Sequence, residues 1–106
     1  MKEAKNRFIS QQELNRRADN KVKIIRAKLK AIYDELKALL DVKEVNALNE
    51  SQETWEKYSQ KQAEFAALRF ETGSLRPLVF FEVIELLTTE RISLLKSELK
   101  ERQELS

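Results

Sequence analysis

The sequence predicts an all-α protein, in which residues 1–106 form one domain folded as an antiparallel up-down-up bundle of three long helices. Apolar residues recur at intervals of three and four, which is the spacing of a buried helix face. The chain has only one Gly and one Pro, and no segment shows the alternation of apolar and polar residues that indicates a strand. Because Gly and Pro are the main residues of turns, the elements must be few and long.

The first helix is predicted over about residues 10–40. Ser10 and Glu13 have the spacing of a capping box, in which the Ser10 hydroxyl accepts a hydrogen bond from the Glu13 amide. Beyond this cap the apolar residues alternate between steps of four and three, and this regular spacing predicts one continuous buried stripe. The residues of the stripe are Leu14, Ala18, Val22, Ile25, Leu29, Ile32, Leu36 and Leu39.

The second helix is predicted over about residues 42–70, starting where Asp41 and Glu44 repeat the capping pattern. The middle of this helix is less apolar than the first helix, since Gln52, Ser59 and Gln62 lie at or near inner positions. We therefore expect looser packing here. The apolar residues expected on the inner side are Val45, Leu48, Trp55, Phe65 and Leu68, with Tyr58 near its edge.

The third helix is predicted over about residues 75–102, after a break at the only Gly of the chain. We expect Gly73 to end the second helix in a left-handed conformation and Ser74 to cap the third, with Pro77 in its first turn. The apolar residues that would face the core are Leu78, Phe80, Phe81, Ile84, Leu87, Leu94, Leu95 and Leu99.

The composition argues against an enzyme. The chain contains no His and no Cys, which removes the usual general base near neutral pH, the thiolate nucleophile and the common zinc and haem ligands. A single Gly also excludes a glycine-rich phosphate loop. We therefore expect a non-enzymatic protein with no cofactor and no metal. No stretch approaches the roughly 18 apolar residues that a membrane-spanning helix needs, so no transmembrane segment is predicted.

Five short segments of the chain carry a family resemblance, in order and in register between about residues 12 and 99. These segments are Gln12–Asn15, Leu29–Leu36, Ser51–Tyr58, Gly73–Pro77 and Leu87–Arg91. Through them the chain resembles the LprI-type lysozyme inhibitor family, which consists of small helical proteins mostly exported by bacteria. The resemblance implies a protein partner, namely a lysozyme-like cell-wall hydrolase. It also implies a periplasmic or secreted protein if a leader has been removed, whereas Met1 as the native start would indicate the cytoplasm.

The chain departs from the family by lacking cysteines, which the family usually carries at the positions aligned with Arg17, Ala63 and Val83. A missing disulfide in a small protein costs about 2 to 5 kcal/mol of stability. In this cysteine-free variant either apolar packing offsets that cost, or the protein lives where no disulfide could form. The motif residues also have structural explanations. Trp55 and Tyr58 are expected in the core and at its edge.

Arg91 lies at an inner or boundary position of the third helix. Because a buried cation is stable only with suitable partners, we expect Arg91 to pair with a carboxylate such as Glu64 or Glu90.

The charge distribution is the main functional signal in the residues themselves. Between Leu14 and Ala31 there are seven basic residues and one acidic residue, whereas residues 43–71 carry four basic and six acidic ones. The basic stretch either faces the acidic flanks of the other two helices or forms a docking site for an anionic partner. Nucleic acid is disfavoured as that partner, since no aromatic residues alternate with the basic ones. The candidate partner-binding residues are Thr72, Gly73, Ser74 and Arg76 in the second turn, and Arg17, Lys21 and Lys28 in the first helix.

Three functions therefore remain open from the sequence. The first is a protein-binding module that uses a helix face or the Gly73 turn to hold a partner, as the family resemblance implies. The second is a self-associating structural module, in which a helix from a neighbouring chain completes the loosely packed bundle as a homo-oligomer. The third is attachment to an anionic surface through the basic part of the first helix.

Overall fold

Three α-helices account for most of the residues that the computed structural model describes, which are 9–70, 73 and 75–105. The structure confirms the predicted all-α class, and no strand occurs among the described residues. A short 3₁₀ turn follows the second helix. The helices are α1 (Gln11–Lys37), α2 (Val42–Ala67) and α3 (Arg76–Leu105), and the 3₁₀ turn is Leu68–Phe70.

Side-chain caps fix where α1 and α2 begin. The Ser10 hydroxyl accepts a hydrogen bond from the Glu13 amide at 3.1 Å, as predicted. At the start of α2, the Asp41 carboxylate accepts from the Glu44 amide at 2.8 Å, and the Glu44 carboxylate accepts from the Asp41 amide at 3.4 Å. Caps of this kind contribute about 1 kcal/mol each. Since only residues 38–41 separate α1 from α2, these two helices run antiparallel.

The break before α3 differs from the prediction at Gly73. This residue does not have a positive φ, so it is not left-handed. The second helix is followed directly by the 3₁₀ turn, and the Gly73 amide donates to the Phe70 carbonyl at 2.8 Å. A Cβ atom added at Gly73 would meet the Phe70 oxygen at an ordinary 3.5 Å. The expected cap Ser74 lies outside the described residues.

Helix α3 lies between α1 and α2, although it comes last in the chain. It packs against both of them along their lengths, whereas few residues of α1 lie close to residues of α2. The up-down-up arrangement predicted from the sequence is therefore present, in an open form. The molecule measures 55 × 32 × 15 Å along its principal axes, which is broad and thin for three helices. The separation leaves a cleft between α1 and α2.

Two clusters of buried apolar residues hold the helices together. Of the stripe predicted in α1, Ala18, Val22, Leu29 and Leu36 are buried, whereas its end residues Leu14 and Leu39 are exposed. The first cluster joins α1 to α3 toward their C-terminal ends, and the second joins all three helices toward the opposite end. The clusters consist of Leu29, Leu36, Leu95 and Leu99, and of Val22, Ala63 and Ile84.

The inner face of α2 is formed by small residues, which the sequence analysis did not predict. Phe65 is 72% exposed and Leu68 is also exposed, so the prediction that both lie inside was wrong. The fully buried residues of α2 are instead Ser59, Ala63 and Ala67, spaced four apart on one side of the helix. Small side chains let α2 approach α3 closely, and this close approach turns the larger apolar residues toward solvent.

Two of the three positions that the sequence analysis aligned with family cysteines lie together. Ala63 is buried within the second cluster, and Val83 packs against that cluster. Arg17, the third position, is exposed on α1. Apolar packing therefore occupies two of the three positions that the sequence analysis aligned with family cysteines.

Candidate partner-binding surfaces

One side of α1 carries three of the predicted partner-binding residues. Arg17, Lys21 and Lys28 are all exposed, and their spacing of four and seven residues places them in one row. Ile24, which is 60% exposed, lies in the same row. We call these four residues the basic stripe. The three cations provide charge for a partner, and the exposed Ile24 between them provides apolar contact area.

In the described part of the chain, the cations of α1 form no ion pair with the other helices. The ion pairs that they form among the described residues join side chains within α1, such as Lys23 with Asp19 and Lys30 with Asp34. Lys21 and Lys28 form no ion pair in the described part of the chain. The interpretation that this stretch faces acidic flanks of α2 and α3 therefore does not hold for Lys21 and Lys28. It does hold for Arg26 and Lys30, which line a cleft opposite Glu53 and Glu56 of α2.

Glu13 is held by two arginines in the first turns of α1. Arg16 donates two hydrogen bonds to its carboxylate, at 2.8 and 2.6 Å, and the Nε of Arg17 lies 3.2 Å from one carboxylate oxygen. The hydrogen bonds from Arg16 are the main reason why the pKa of Glu13 falls from its ordinary 4.5 to about 2, and Arg17 adds to the effect. Glu13 therefore carries its charge at all physiological pH values.

We expect the replacement Arg16→Gln to raise the pKa of Glu13 from about 2 toward 4.5, because the strongest hydrogen bonds to the carboxylate are lost. Titration of the Glu13 carboxyl carbon by nuclear magnetic resonance measures this change. The native pKa lies below the unfolded value, so the contribution of these pairs to stability is complete above pH 4.5 and is lost as the pH falls toward 2. Arg26→Gln is the matched control, and a native midpoint near 4.5 would contradict the pairing.

The second turn, which contains the other predicted residues, is only partly described. Gly73 and Arg76 are exposed, whereas Thr72 and Ser74 lie outside the described residues. Since Val22 of α1 packs with Ile84 of α3 and the two helices run parallel, Arg76 lies toward the same end of the bundle as Arg17.

The cleft between α1 and α2 is a surface that the sequence analysis missed. It has a volume of about 700 Å³. Arg26 and Lys30 line its α1 wall, and Glu53 and Glu56 line its α2 wall. Within the described residues, neither of these two carboxylates forms an ion pair, so the α2 wall is negatively charged. We call this feature the interhelix cleft.

A hydrogen bond between the walls closes one end of the interhelix cleft. The Tyr33 hydroxyl of α1 donates to the Asn49 side-chain oxygen of α2. Partial burial at this position raises the pKa of Tyr33, so the hydroxyl keeps its proton as a donor. The floor is formed by Leu29 together with the α3 residues Ile84 and Thr88.

Arg91 of α3 is buried without the carboxylate partner that we expected. Only 8% of the residue is exposed. Its Nε donates to the Gln52 side-chain oxygen at 3.0 Å, and its Nη2 donates to the Ser51 hydroxyl at 3.2 Å. The guanidinium carbon lies 5.9 Å from the centre of the Trp55 ring. Burial lowers the pKa of Arg91 from its ordinary value.

The expected partners of Arg91 lie elsewhere. Glu90 is exposed, and the nearest cation to Glu64 is Lys61, with 3.9 Å between its Nζ and the Oε2 of Glu64. The prediction of a carboxylate pair for Arg91 was wrong because α2 presents two neutral acceptors at this level of the bundle. Arg91 thus connects α3 to α2 while keeping an unneutralised charge.

The described residues do not include a cluster of three or more potential metal ligands of the His, Cys, Asp or Glu type. Over the same residues, no helix combines the length and the apolar character that a membrane crossing requires. The fold and its surfaces define a small all-α protein that exposes charged stripes and grooves.

Comparison with known families identifies this class more closely. Residues 2–95 match the family described as Lysozyme inhibitor LprI. Because this match covers most of the chain, the protein belongs to the lysozyme inhibitor LprI family, and the resemblance seen in the sequence motifs is confirmed. No curated protein and no solved structure gives a significant match.

Proposed function

We propose that this protein binds a lysozyme-type cell-wall hydrolase and inhibits it, without catalysing a reaction of its own. The family match over residues 2–95 carries this proposal, because the family is named for lysozyme inhibition. A shared fold does not by itself determine a shared target, so the surface that meets the hydrolase must be argued from this chain's own residues.

Charge favours the α2 wall of the interhelix cleft as that surface. Common lysozymes are strongly basic, and like charges slow encounter and weaken binding. The segment Val42–Ala67 carries five acidic and three basic residues, whereas Gln11–Lys37 carries four acidic and eight basic ones. Glu53 and Glu56 belong to the acidic segment, line an open cleft and form no ion pair in the described part of the structure. They are therefore suited to attract a basic enzyme.

A lysis assay with paired charge variants tests the function and the surface together. We expect the unaltered protein to slow lysis of cell-wall substrate by lysozymes at micromolar concentration. The double replacement of Glu53 and Glu56 by Lys should weaken this inhibition by about ten-fold or more, because it places cations against a basic partner. The control is the double replacement of Lys21 and Lys28 by Glu, which should preserve or strengthen inhibition.

Two outcomes would contradict the proposal at different levels. Lysis rates unchanged by micromolar protein across a panel of lysozymes would rule out the inhibitory function. Inhibition that survives the Glu53 and Glu56 replacements but is lost with Lys21 and Lys28 would keep the function and transfer the contact surface to the basic stripe.

A further inference from the structure

The charge of Arg91 has no counter-ion among the described residues. A guanidinium has five N–H donors, and Arg91 uses two of them, toward Gln52 and Ser51. Both acceptors are neutral, so they satisfy hydrogen-bond geometry without neutralising the cation. A buried cation with neutral partners is electrostatically less favourable than the same cation beside a carboxylate. The site is therefore arranged to gain from an added anion.

The Nη1 group of Arg91 remains available to such an anion. It makes no hydrogen bond within the described part of the chain, while Nε and Nη2 both donate to α2. Among the described residues, the only side-chain polar atom that is both sealed from solvent and without a hydrogen bond is Oε2 of Glu64. The Nη1 of Arg91 is therefore in contact with solvent, although the residue as a whole is more than nine-tenths buried.

Two shallow grooves meet at Arg91. The first runs between α2 and α3 and is mainly apolar, with Leu48 and Leu94 among its lining residues. The second runs along α2 past Trp55 and Tyr58. Arg91 borders both grooves, so a segment of a partner can pass over the guanidinium and continue on either side. Leu94 and Tyr58 are exposed and offer apolar contact next to the charge.

The carboxylates in the first groove are already engaged elsewhere. Arg102 donates to Glu44 at 2.6 Å and lies 3.5 Å from Glu98. Both carboxylates therefore interact with Arg102, and neither forms an ion pair with Arg91 in the described part of the chain. An acidic group from outside would meet a cation at the junction of the grooves without displacing an existing ion pair.

We propose that Arg91 binds the carboxylate of an acidic side chain on a protein partner, flanked in the partner's sequence by apolar residues that lie in the two grooves. The openness of the site on both sides favours an internal acidic side chain over a chain terminus. This inference goes beyond the proposed function. It specifies the chemistry of the segment that Arg91 binds, and it does not depend on which hydrolase the protein inhibits.

Trp55 provides a direct readout, because it is the only Trp of the chain and Arg91 lies over its ring. The probe is the peptide acetyl-Leu-Glu-Leu-amide, with acetyl-Leu-Gln-Leu-amide as its neutral counterpart. We expect the acidic peptide to change Trp55 emission and the Nε–H resonance of Arg91 with millimolar affinity, and the neutral peptide to bind at least about ten-fold more weakly. Lysozyme is absent from this experiment, so its result is independent of the inhibition assay.

Variants separate anion binding from a purely structural role of Arg91. Arg91→Met keeps much of the side-chain volume and should weaken binding of the acidic peptide by about ten-fold or more. Arg91→Lys should weaken this binding less, because the charge is kept. Lys96→Gln, at an exposed position of the same helix, is the matched control and should bind normally. Equal binding of both peptides, no response in the millimolar range, or unchanged binding by both Arg91 variants would overturn the proposal.

Discussion

Replacing Ile84 by Ala should lower the free energy of unfolding by about 2 to 5 kcal/mol. Ile84 is 2% exposed and packs with Val22 and Ala63, so one side chain of the central helix links α1 to α2. Truncation would leave a cavity at the position where the three helices meet. Neither α1 nor α2 can shift to fill this cavity without disturbing the packing around Leu29, Leu36, Leu95 and Leu99. Urea unfolding followed by far-ultraviolet circular dichroism measures the change.

Leu86→Ala is the matched control for this prediction. Leu86 lies on the same helix and is exposed, so its truncation should alter the free energy of unfolding by no more than about 0.5 kcal/mol. Similar losses for the two variants would contradict the placement of Ile84 at the centre of the second cluster.

Replacing Ala63 by Leu should destabilise the protein by about 1 to 3 kcal/mol, even though it adds an apolar side chain. Ala63 is 0% exposed at the close approach of α2 to α3, where no space exists for three more carbon atoms. The added bulk would force α2 away from α3 or distort side chains around Ile84. Urea unfolding measures the loss in the same way.

Phe65→Ala, only two residues along α2, distinguishes the observed inner face from the predicted one. Because Phe65 is mostly exposed, its truncation should change the free energy of unfolding by no more than about 0.5 kcal/mol. If Phe65→Ala proved more damaging than Ala63→Leu, the large apolar residues of α2 would be its inner face after all.

The helices could be predicted because their signals are local. The caps at Ser10 and Asp41 depend on residues only three apart, and the regular stripe of α1 places Val22, Leu29 and Leu36 inside. The inner face of α2 could not be predicted in the same way. Hydrophobicity points to Phe65, whereas the geometry of a close helix contact selects the smallest side chains, and that contact depends on α3.

The candidate sites show the same division between local and long-range information. The exposure of Lys21 and Lys28 follows from their charge and helical spacing. The sequence analysis placed Gln52 and Arg91 at or near inner positions of their helices. It could not show that these two residues lie at the same level, since this requires the register between α2 and α3. The interhelix cleft was unpredictable for a related reason, because it exists only where α1 and α2 separate.

The position of α3 affects how the chain must fold during synthesis. The helix that is synthesised after the other two is the one against which both of them pack, so the nascent α1–α2 hairpin has no completed core of its own. Until Leu95 and Leu99 emerge, the apolar sides of both helices remain accessible to chaperones and proteases. A chain interrupted between Ile84 and Leu95 would thus keep the cluster that joins all three helices but lose the α3 side of the other cluster.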